Sequence, residues 1–343
     1  MTAKVSLIIP IYNAQRYLQE CLESVAAQTM FDETEVLLVD DGSTDDSGKL
    51  CDDFAETRTN VTVIHKQNGG VSAARNTGIE RAGGKYIAFA DADDVLMPEM
   101  LERLVEAAQC DGIQLSFCEF THGTPENFER MRYPFAPNVR LETSEIAGFL
   151  IKNETLNALW NKLFLREIIL RYDIRMTVGK RLGEDREFVL RYLAQCEGAC
   201  YVPYVGYFYR YVETGAIRKK QSGYAEVLTT QFQCDMACFA QLGVERSVFV
   251  RESALCFCNR IAATIDRICR TTRSFDRLRA LRELYADAQV QQILCELFSI
   301  AAPHCNRYTA MLLKSMQKKS AVRTRIVMRI LSWRVRLFEF CKK

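Results

Sequence analysis

Short apolar runs that predict buried strands alternate with amphipathic segments over roughly the first 120 residues of the chain. The runs are KVSLIIPIYN, EVLLVDD, VTVIHK, KYIAFADADD and GIQLSFCEF. The segments between them carry apolar residues at helical spacing; in the first, Leu18, Leu22 and Val25 share one face. Strands of this kind separated by helices predict an α/β fold, in which helices cover both faces of a mostly parallel sheet.

The pattern changes after about residue 140. A helix predicted near residues 143–152 is followed by LWNKLFLREII, by LGEDREFVLRYLAQ and by an aromatic strand, ACYVPYVGYFYRY. Beyond about residue 215 nearly every segment has helical periodicity. We therefore predict two domains, an α/β domain over residues 1–215 and a mainly helical domain over residues 216–343.

Composition narrows the class of protein. The 343 residues are 48% hydrophobic and 26% charged, as in folded soluble domains, and a net charge of +2 indicates no particular partner. No window approaches the roughly 20 apolar residues of a membrane-spanning helix, and the first apolar stretch is too short for a secretory signal. Fourteen cysteines without a CxxC pair disfavour zinc and suggest small core residues in a reducing compartment. We therefore expect a cytoplasmic protein.

Two of the predicted strands end in carboxylates. VDDGSTDDS follows the second strand and DADDV follows the fourth. Ligands of such sheets bind outside the carboxyl ends of the strands, so the two acidic loops are expected to meet at one edge. Asp91, Asp93 and Asp94 repel one another unless a cation or a hydrogen-bonding ligand lies among them.

Three interpretations of this acidic cluster compete. The aspartates cap the next helix or solvate a loop, which suits one Asp better than three. A calcium loop of the EF-hand type is disfavoured, because the glycine of DGSTD is misplaced and no Glu follows at position 12. A Mg²⁺ or Mn²⁺ ion carried by a diphosphate fits the D-x-D spacing, since alternate side chains of an extended segment reach toward one ligand.

Three motifs in a fixed order carry a family resemblance. VSLIIPIYN, LLVDDGSTDDS and NGGVSAARNTGIERAGGKYIAFADADD resemble the family 2 nucleotide-sugar glycosyltransferases of GT-A fold, a Rossmann-like α/β fold. LWNKLFLREI, GEDREF and YFYR match later landmarks, so the resemblance covers roughly residues 4–211. It implies an inverting hexosyl or N-acetylhexosaminyl transfer from a nucleotide-sugar donor, UDP-linked, to a glycan or lipid-linked acceptor in cell-surface polysaccharide synthesis. The implied cofactor is Mg²⁺ or Mn²⁺.

The resemblance also implies which residues contact the nucleotide base. Pro10 and Tyr12 would lie beside the base, in the loop after the first strand. Asp41, with or without Asp40, would hydrogen-bond to the base, which for uracil means accepting from its imide N–H. Two further residues would line the same cleft: Lys66 and Asn68.

A second group of residues is implied for the ribose, the diphosphate and the metal. Arg75 would lie close to the diphosphate or the ribose, and Asp91 would hold the ribose. Asp93 would ligate the metal that bridges the two phosphates, while Asp94 would share this role or replace Asp93 as the ligand.

The acceptor side of the resemblance rests on GEDREF and LWNKLF. The family's general base is the Asp of an E-D pair at the start of a helix, which implies Asp185, with Glu184 beside it. From the residues alone, the two carboxylates could equally favour the positive end of the helix dipole. The helix N-terminus predicts a lowered pKa that keeps Asp185 ionised. Trp160 is expected in the wall of the acceptor site, with a place in the core as the alternative.

One departure from the family pattern follows YFYR. Where relatives often carry a Ser-rich segment, this chain has VETGAIRKKQSG. The cations of this region would bind the diphosphate from a closing loop or remain solvated: Arg210, Arg218, Lys219 and Lys220.

The last thirty residues are strongly basic. Residues 314–343 contain ten Lys and Arg against a single Glu, and an apolar stripe recurs at helical spacing: Ile326, Ile330, Trp333, Leu337 and Phe340. This pattern is typical of a helix lying on an anionic membrane surface, which would place the protein peripherally at the cytoplasmic membrane face. Packing of the stripe on the preceding helices is the alternative, and nucleic acid is disfavoured as a partner.

Other functions remain open at this stage. The helical region would complete the acceptor side, mediate homo-oligomerisation or dock the protein to a membrane. The main alternative function is a non-catalytic nucleotide-binding or scaffold protein on the same fold. A nucleotidyltransferase would need a basic, glycine-rich phosphate loop near the N-terminus, and IIPIYNAQ provides neither.

Overall fold

A computed structural model of the chain describes residues 3–180, 182–212, 223–271, 274–320 and 324. The chain divides into two compact units. The first comprises Met1–Leu150 and Glu154–Gly215, and the second comprises Ile151–Asn153 and Ala216–Lys343.

The first unit is built on one ten-stranded sheet. Its spatial order is β3-β2-β1-β4-β9-β6-β10-β5, with β7 beside β6 and β8 beside β10. The strands are β1 (Val5–Ile11), β2 (Thr34–Asp40), β3 (Val61–His65), β4 (Tyr86–Phe89), β5 (Val95–Leu96), β6 (Leu115–Thr124), β7 (Asn127–Met131), β8 (Arg140–Leu141), β9 (Lys162–Leu165) and β10 (Ala199–Arg210).

The sheet is parallel in its first half and mixed in its second. Strands β1 to β4 pair in parallel, whereas β9 runs antiparallel to both β4 and β6. Strand β10 returns parallel to β6. The expected α/β fold is confirmed, but its "mostly parallel" description holds only for the N-terminal half of the sheet, because β9 enters between β4 and β6 against their direction.

Seven helices accompany this sheet within the described part of the first unit. They are α1 (Gln15–Ala26), α2 (Ser47–Ala55), α3 (Val71–Arg81), α4 (Met100–Ala108), α5 (Thr143–Leu150), α6 (Arg166–Arg171) and α7 (Glu184–Leu193). Helix α3 lies so close to β1 that a Cβ at Gly78 would fall 2.3 Å from Cγ2 of Ile8. Helix α7 starts directly after Gly183, whose φ of +80° suits glycine, so the chain turns sharply into Glu184 and Asp185.

The described part of the second unit is helical, as expected. Its helices are α8 (Tyr224–Gln241), α9 (Arg246–Thr271), α10 (Ser274–Ala286), α11 (Ala288–Ala301) and α12 (Arg307–Gln317). Side chains of Asp287 and Asn306 accept hydrogen bonds from the first turns of α11 and α12 and cap them. Most of the basic tail, residues 321–323 and 325–343, lies outside the described residues. Among the helices that are described, none has the length and apolar character needed to cross a bilayer.

Candidate active site

The two acidic loops leave the sheet at the same edge, the carboxyl ends of strands β2 and β4. Strand β1 lies between β2 and β4. The backbone N–H of Asp41, just after β2, donates to the carbonyl of Ile11 at 2.8 Å, and that of Ala90, just after β4, donates to Ile8 at 3.1 Å. The loops that begin at Tyr12, Asp41 and Asp91 therefore leave the sheet side by side. Parallel pairing of three strands produces this convergence.

Asp41 anchors the loop of residues 66–70 to the end of β2. Its Oδ1 accepts from the Lys66 ammonium and from the backbone N–H of Gly69, and its Oδ2 accepts from the N–H of Gly70 at 2.7 Å. The side chain is buried. A carboxylate oxygen can accept two hydrogen bonds, so Oδ2 retains one acceptor position for a ligand. Asn68, within the same loop, is exposed, as is Tyr12 just after β1; Pro10, near the end of β1, is half-buried.

Asp40 has a different set of partners from its neighbour. Its Oδ1 accepts from the backbone N–H of Ser43 at 2.9 Å, and its Oδ2 lies 2.9 Å from Nδ1 of His65. Burial opposes ionisation, but the hydrogen bonds from Ser43 and His65 outweigh it and lower the pKa of Asp40. His65 also contacts Asp52, and the hydrogen bonds to Asp40 and Asp52 raise the pKa of His65. Asp40 thus holds the loop after β2 in place.

Asp94 is locked inside the loop that follows β4. Its Oδ2 accepts from the hydroxyl of Tyr207 at 2.9 Å, and its Oδ1 accepts from the backbone N–H of Arg210 at 2.8 Å. The Tyr207 hydroxyl in turn accepts from the N–H of Asp91. Burial, reinforced by Asp91 and Asp93, raises the pKa of Asp94 well above its ordinary value. Both carboxylate oxygens of Asp94 are therefore hydrogen-bonded to residues of β10.

Arg210 fastens the same loop from the other side. Its Nε donates to the backbone carbonyl of Asp93 at 2.9 Å, and its Nη2 donates to Glu20 on α1 at 2.7 Å. The guanidinium also lies 4.9 Å from the ring centre of Tyr17. Arg210 is therefore enclosed and not solvated. The other alternative, that it binds the diphosphate from a closing loop, stays a prediction. The other cations of that region, Arg218, Lys219 and Lys220, lie outside the described residues.

Asp93 has the properties of a metal ligand, but it belongs to a site that the described protein groups do not complete by themselves. Within the described residues, no other residue donates a hydrogen bond to its carboxylate, although Arg210 attracts it electrostatically. Burial and the charge of Asp91 raise the pKa of Asp93 to about 6. No group of three or more His, Cys, Asp and Glu in the described chain could hold a metal by itself. An under-compensated carboxylate without a protein cage fits a Mg²⁺ or Mn²⁺ ion that completes its shell with phosphate oxygens and water.

Arg75 joins the two halves of the candidate site. Its Nη2 donates to Oδ1 of Asp91 and its Nη1 donates to Oδ1 of Asp185, both at 2.7 Å. Only 3% of Arg75 is exposed, and its buried Nε has no hydrogen-bond partner among the described residues. One guanidinium thus spans the candidate ribose ligand and the candidate base, which lie 27% and 28% exposed. The contact with Asp91 places Arg75 beside the expected ribose ligand, and its place close to the diphosphate or the ribose stays a prediction.

Asp185 lies in the first turn of α7 with Glu184 beside it. The expected lowering of its pKa by the helix N-terminus is wrong. Burial raises the pKa of Asp185 to about 6 against the opposing charge of Arg75, and Glu184 raises it further. Desolvation outweighs the attraction of Arg75 because most of the Asp185 side chain is buried, which the sequence pattern does not reveal.

Lys162 is a charged residue that the sequence analysis did not single out. It is fully buried, and its ammonium donates to the carbonyl of Ala158 and to Oδ1 of Asn161. Burial lowers the pKa of Lys162 to about 7, and the residual positive charge lowers that of Asp185. The available signal was a lysine inside an apolar run, alternating with Trp160 and Phe164.

Trp160 is buried in a stack of aromatic rings. It is 6% exposed and lies nearly parallel to Tyr207 at 4.4 Å and to Tyr209 at 5.6 Å between ring centres. Phe120 meets it edge-on at 4.6 Å. These contacts are those of a core residue, which was the alternative to a place in the wall of the acceptor site. The aromatic stack continues toward the surface through Tyr209.

Comparison with known proteins agrees with this geometry. Residues 6–172 match the family model described as "Glycosyl transferase family 2". The chain carries a family 2 glycosyltransferase domain. The family resemblance expected from the motifs is thereby confirmed.

Three similar proteins illustrate the range of this match. "Uncharacterized glycosyltransferase EpsJ" of Bacillus subtilis is 33% identical over 204 residues, which cover 57% of this chain and 58% of EpsJ. The crystal structure of S. aureus TarS 1–349 in complex with UDP-GlcNAc has a TM-score of 0.70 at 18% identity, covering 96% of this chain and 91% of that one. The mannosyltransferase PcManGT of Pyrobaculum calidifontis, in complex with GDP-Man and Mn²⁺, has a TM-score of 0.51 at 16% identity, covering 95% and 87%. These structures confirm the GT-A fold of the family 2 domain, and the chain spans less than two thirds of EpsJ.

Proposed function

We propose that the protein is an inverting glycosyltransferase that moves a sugar from a UDP-linked donor to a hydroxyl group of a glycan or lipid-linked acceptor. The observation that carries this proposal is the Arg75 bridge. A donor-binding carboxylate, Asp91, and a base, Asp185, must lie within one cleft, and both contact the same guanidinium at 2.7 Å. A non-catalytic nucleotide-binding protein on this fold would not need a second carboxylate there.

The donor side supports a nucleotide diphosphate. Oδ2 of Asp41 has one acceptor position left beyond the N–H of Gly70, which suits the imide N–H of uracil. Tyr12 is exposed and provides a ring face for the base. TarS, the structural relative with the higher TM-score of the two, binds UDP-GlcNAc. A UDP-linked donor is therefore the first to test.

The residues that would hold a divalent cation are Asp93 and the second carboxylate oxygen of Asp91. Among the described residues, no side chain donates a hydrogen bond to the carboxylate of Asp93. Arg75 donates to Oδ1 of Asp91 and not to its Oδ2, so Oδ2 could bind the cation. When bound, Mg²⁺ or Mn²⁺ would neutralise charge that develops on the departing diphosphate. Asp94 fixes the loop through Tyr207 and Arg210, so that Asp93 keeps its position. PcManGT, a relative in fold, has a solved structure in complex with GDP-Man and Mn²⁺.

Asp185 would remove the proton of the acceptor hydroxyl as the new bond forms. A base is most effective when its pKa lies near the working pH, and a pKa of about 6 comes closer to neutrality than that of an ordinary carboxylate. Arg75 holds the carboxylate in place and keeps that pKa from rising further. Attack by the acceptor from the side opposite to the diphosphate inverts the anomeric configuration.

We assign catalysis to residues 1–215 and a supporting role to residues 216–343, namely self-association, completion of the acceptor side or attachment to the cytoplasmic membrane face. The support for attachment is the basic, amphipathic sequence of residues 314–343. Co-sedimentation with anionic vesicles, with and without those residues, tests it. Equal binding by both forms excludes the tail as the anchor.

The experiment for the function is a donor screen followed by turnover. UDP- and GDP-sugars are compared by thermal shift with Mn²⁺, and each hit is incubated without acceptor to detect slow release of the free nucleotide. We expect a UDP-sugar to stabilise the protein and to be hydrolysed only when divalent cation is present. Failure of every nucleotide sugar to bind would overturn the proposal, and binding without any turnover would favour the non-catalytic alternative.

A further inference from the structure

A strip of aromatic side chains runs from the candidate donor site into solvent. It comprises Trp160, Tyr207, Tyr209, Tyr211 and His122 and is called the aromatic strip below. We propose that its outer part, Tyr209 and Tyr211 with His122, is a binding subsite for a sugar ring of the acceptor. This inference rests on the proposed function and specifies the class of acceptor.

Strand geometry places these residues on one face of the sheet. Tyr207, Tyr209 and Tyr211 alternate along and just beyond β10, so their side chains point the same way. In the pairing with β6, Phe120 faces Tyr207 and His122 faces Tyr209. Trp160 stacks on Tyr207 and Tyr209 with interplanar angles of 10° and 13°. The strip is therefore continuous across three segments of the chain.

Exposure increases along the strip. Tyr207 is fully buried under the loop of Asp91 and Asp94, Tyr209 is half-buried, and Tyr211 is 51% exposed. The hydroxyl of Tyr211 lies 2.7 Å from Nδ1 of His122, and its ring meets Tyr209 edge-on at 6.2 Å between centres. The inner end is thus held rigidly while the outer end presents ring faces and polar edges to solvent.

The inner end of this strip adjoins the candidate donor site. There the Tyr207 hydroxyl accepts the backbone N–H of Asp91 and donates to Asp94. Trp160 lies in the turn before β9, and its ring stacks on Tyr207. A sugar ring on Tyr209 and Tyr211 would therefore lie beside the donor site, where an acceptor has to bind.

The chemistry of the strip suits a sugar ring. A pyranose presents an apolar C–H face and a polar rim, so it packs on an aromatic ring while its hydroxyl groups find hydrogen-bond partners at the edge. The Tyr211 hydroxyl and the His122 imidazole provide those partners. A flexible polyol phosphate would use neither ring face. Rigid aromatic side chains also lose little conformational entropy on binding.

Saturation-transfer difference NMR with simple glycosides tests the subsite without the natural acceptor. The probes are the methyl β-glycosides of glucose, galactose and N-acetylglucosamine at millimolar concentration, in the presence of UDP and Mg²⁺, with glycerol 3-phosphate as the non-ring comparison. We expect saturation of the protons on one ring face of at least one glycoside and none for glycerol 3-phosphate. No glycoside signal, or a stronger signal for glycerol 3-phosphate, overturns the proposal.

Four variants locate the binding. Tyr211→Ala and Tyr209→Leu are expected to weaken glycoside binding about tenfold, the loss of one ring contact, whereas Tyr211→Phe keeps the ring and most of the affinity. Phe128→Ala is the matched control, since Phe128 is 57% exposed but pairs with Gly123 and so faces the other side of β6. Equal losses in Phe128→Ala, or no loss in the tyrosine variants, would rule out the aromatic strip.

UDP binding measured on the same samples separates the two proposals. Unchanged UDP binding and donor hydrolysis together with absent glycoside contacts would reject the subsite and leave the glycosyltransferase function standing. Absence of both UDP binding and donor hydrolysis in the wild-type protein would reject the function itself.

Discussion

Replacement of Arg75 by methionine is expected to destabilise the family 2 domain, because two carboxylates lose the cation that they share. The side chain of Arg75 is buried and forms ion pairs with Asp91 and Asp185 at 2.7 Å. Removing one partner of a buried ion pair costs about 3–5 kcal/mol, while exposed pairs contribute about 0–1 kcal/mol. The carboxylates are a little over a quarter exposed, so water and proton uptake relieve part of the penalty. We expect a loss of about 3 kcal/mol, or roughly 10 °C in Tm.

The pH dependence of this loss is a sharper test than its size. Arg75 lowers the pKa of Asp185, which is about 6 in the folded wild type. Without Arg75 that pKa rises further, while the unfolded chain keeps the ordinary value of about 4. The folded variant then binds a proton that the unfolded chain does not, so its stability falls as pH increases. The deficit relative to the wild type should be smaller at pH 5 and larger at pH 8.

Urea denaturation at pH 5, 6.5 and 8 measures the effect, with Arg103→Met as the matched control. Arg103 pairs with Glu99 on an exposed helix surface, with both side chains 45% exposed, so its loss should leave the free energy of unfolding nearly unchanged at every pH. A similar loss in both variants, or a deficit for Arg75→Met that does not change with pH, would refute the role assigned to the bridge.

Three further predictions address the base, the packing and the acidic loop. Below pH 6 the kcat/KM for transfer should fall about tenfold per pH unit as Asp185 takes up its proton, and a flat profile from pH 5 to 8 argues against this base. Asp185→Asn should lose transfer but bind UDP normally. Gly78→Ala should cost about 1–3 kcal/mol in denaturation because its Cβ meets Ile8, whereas Gly148→Ala, with open space around it, should not destabilise. Tyr207→Phe should cost about 1–3 kcal/mol, because the N–H of Asp91 loses its acceptor and Oδ2 of Asp94 loses its donor, while Arg210 still holds Oδ1; an unchanged Tm would contradict this.

The sequence predicts the first half of the sheet and the meeting of its acidic loops for the same reason. Apolar runs separated by helices imply parallel strands, and parallel strands bring their carboxyl ends to one edge. The second half of the sheet was not predicted, because β9 pairs antiparallel with β4 and β6, which lie far from it along the chain. The local hairpin of β6 and β7 was also missed, because the polar strand β7 does not have the apolar pattern used to predict strands. The confirmed family motifs and the acidic edge belong to the first half.

The roles within the site depend on contacts that a linear pattern does not contain. Asp93 and Asp94 are neighbours of the same residue type, yet Tyr207 and Arg210, more than a hundred positions later, occupy the carboxylate of Asp94 alone. The pKa of Asp185 was predicted in the wrong direction, since the helix dipole is visible in the sequence and the depth of burial is not. Arg75 likewise reaches Asp185 across 110 positions.

The central claim is that Asp93 and a divalent cation together hold a nucleotide diphosphate at the edge of the sheet. Isothermal titration of UDP into the protein, in Mn²⁺ or in EDTA, tests it most directly. We predict that EDTA and Asp93→Asn each weaken UDP binding about 10- to 100-fold, the equivalent of about 1.5–3 kcal/mol, and that Asp93→Asn no longer responds to Mn²⁺. Asp111→Asn, at an exposed turn, should behave as the wild type. UDP binding by Asp93→Asn that remains as tight and as Mn²⁺-dependent as in the wild type would contradict the account.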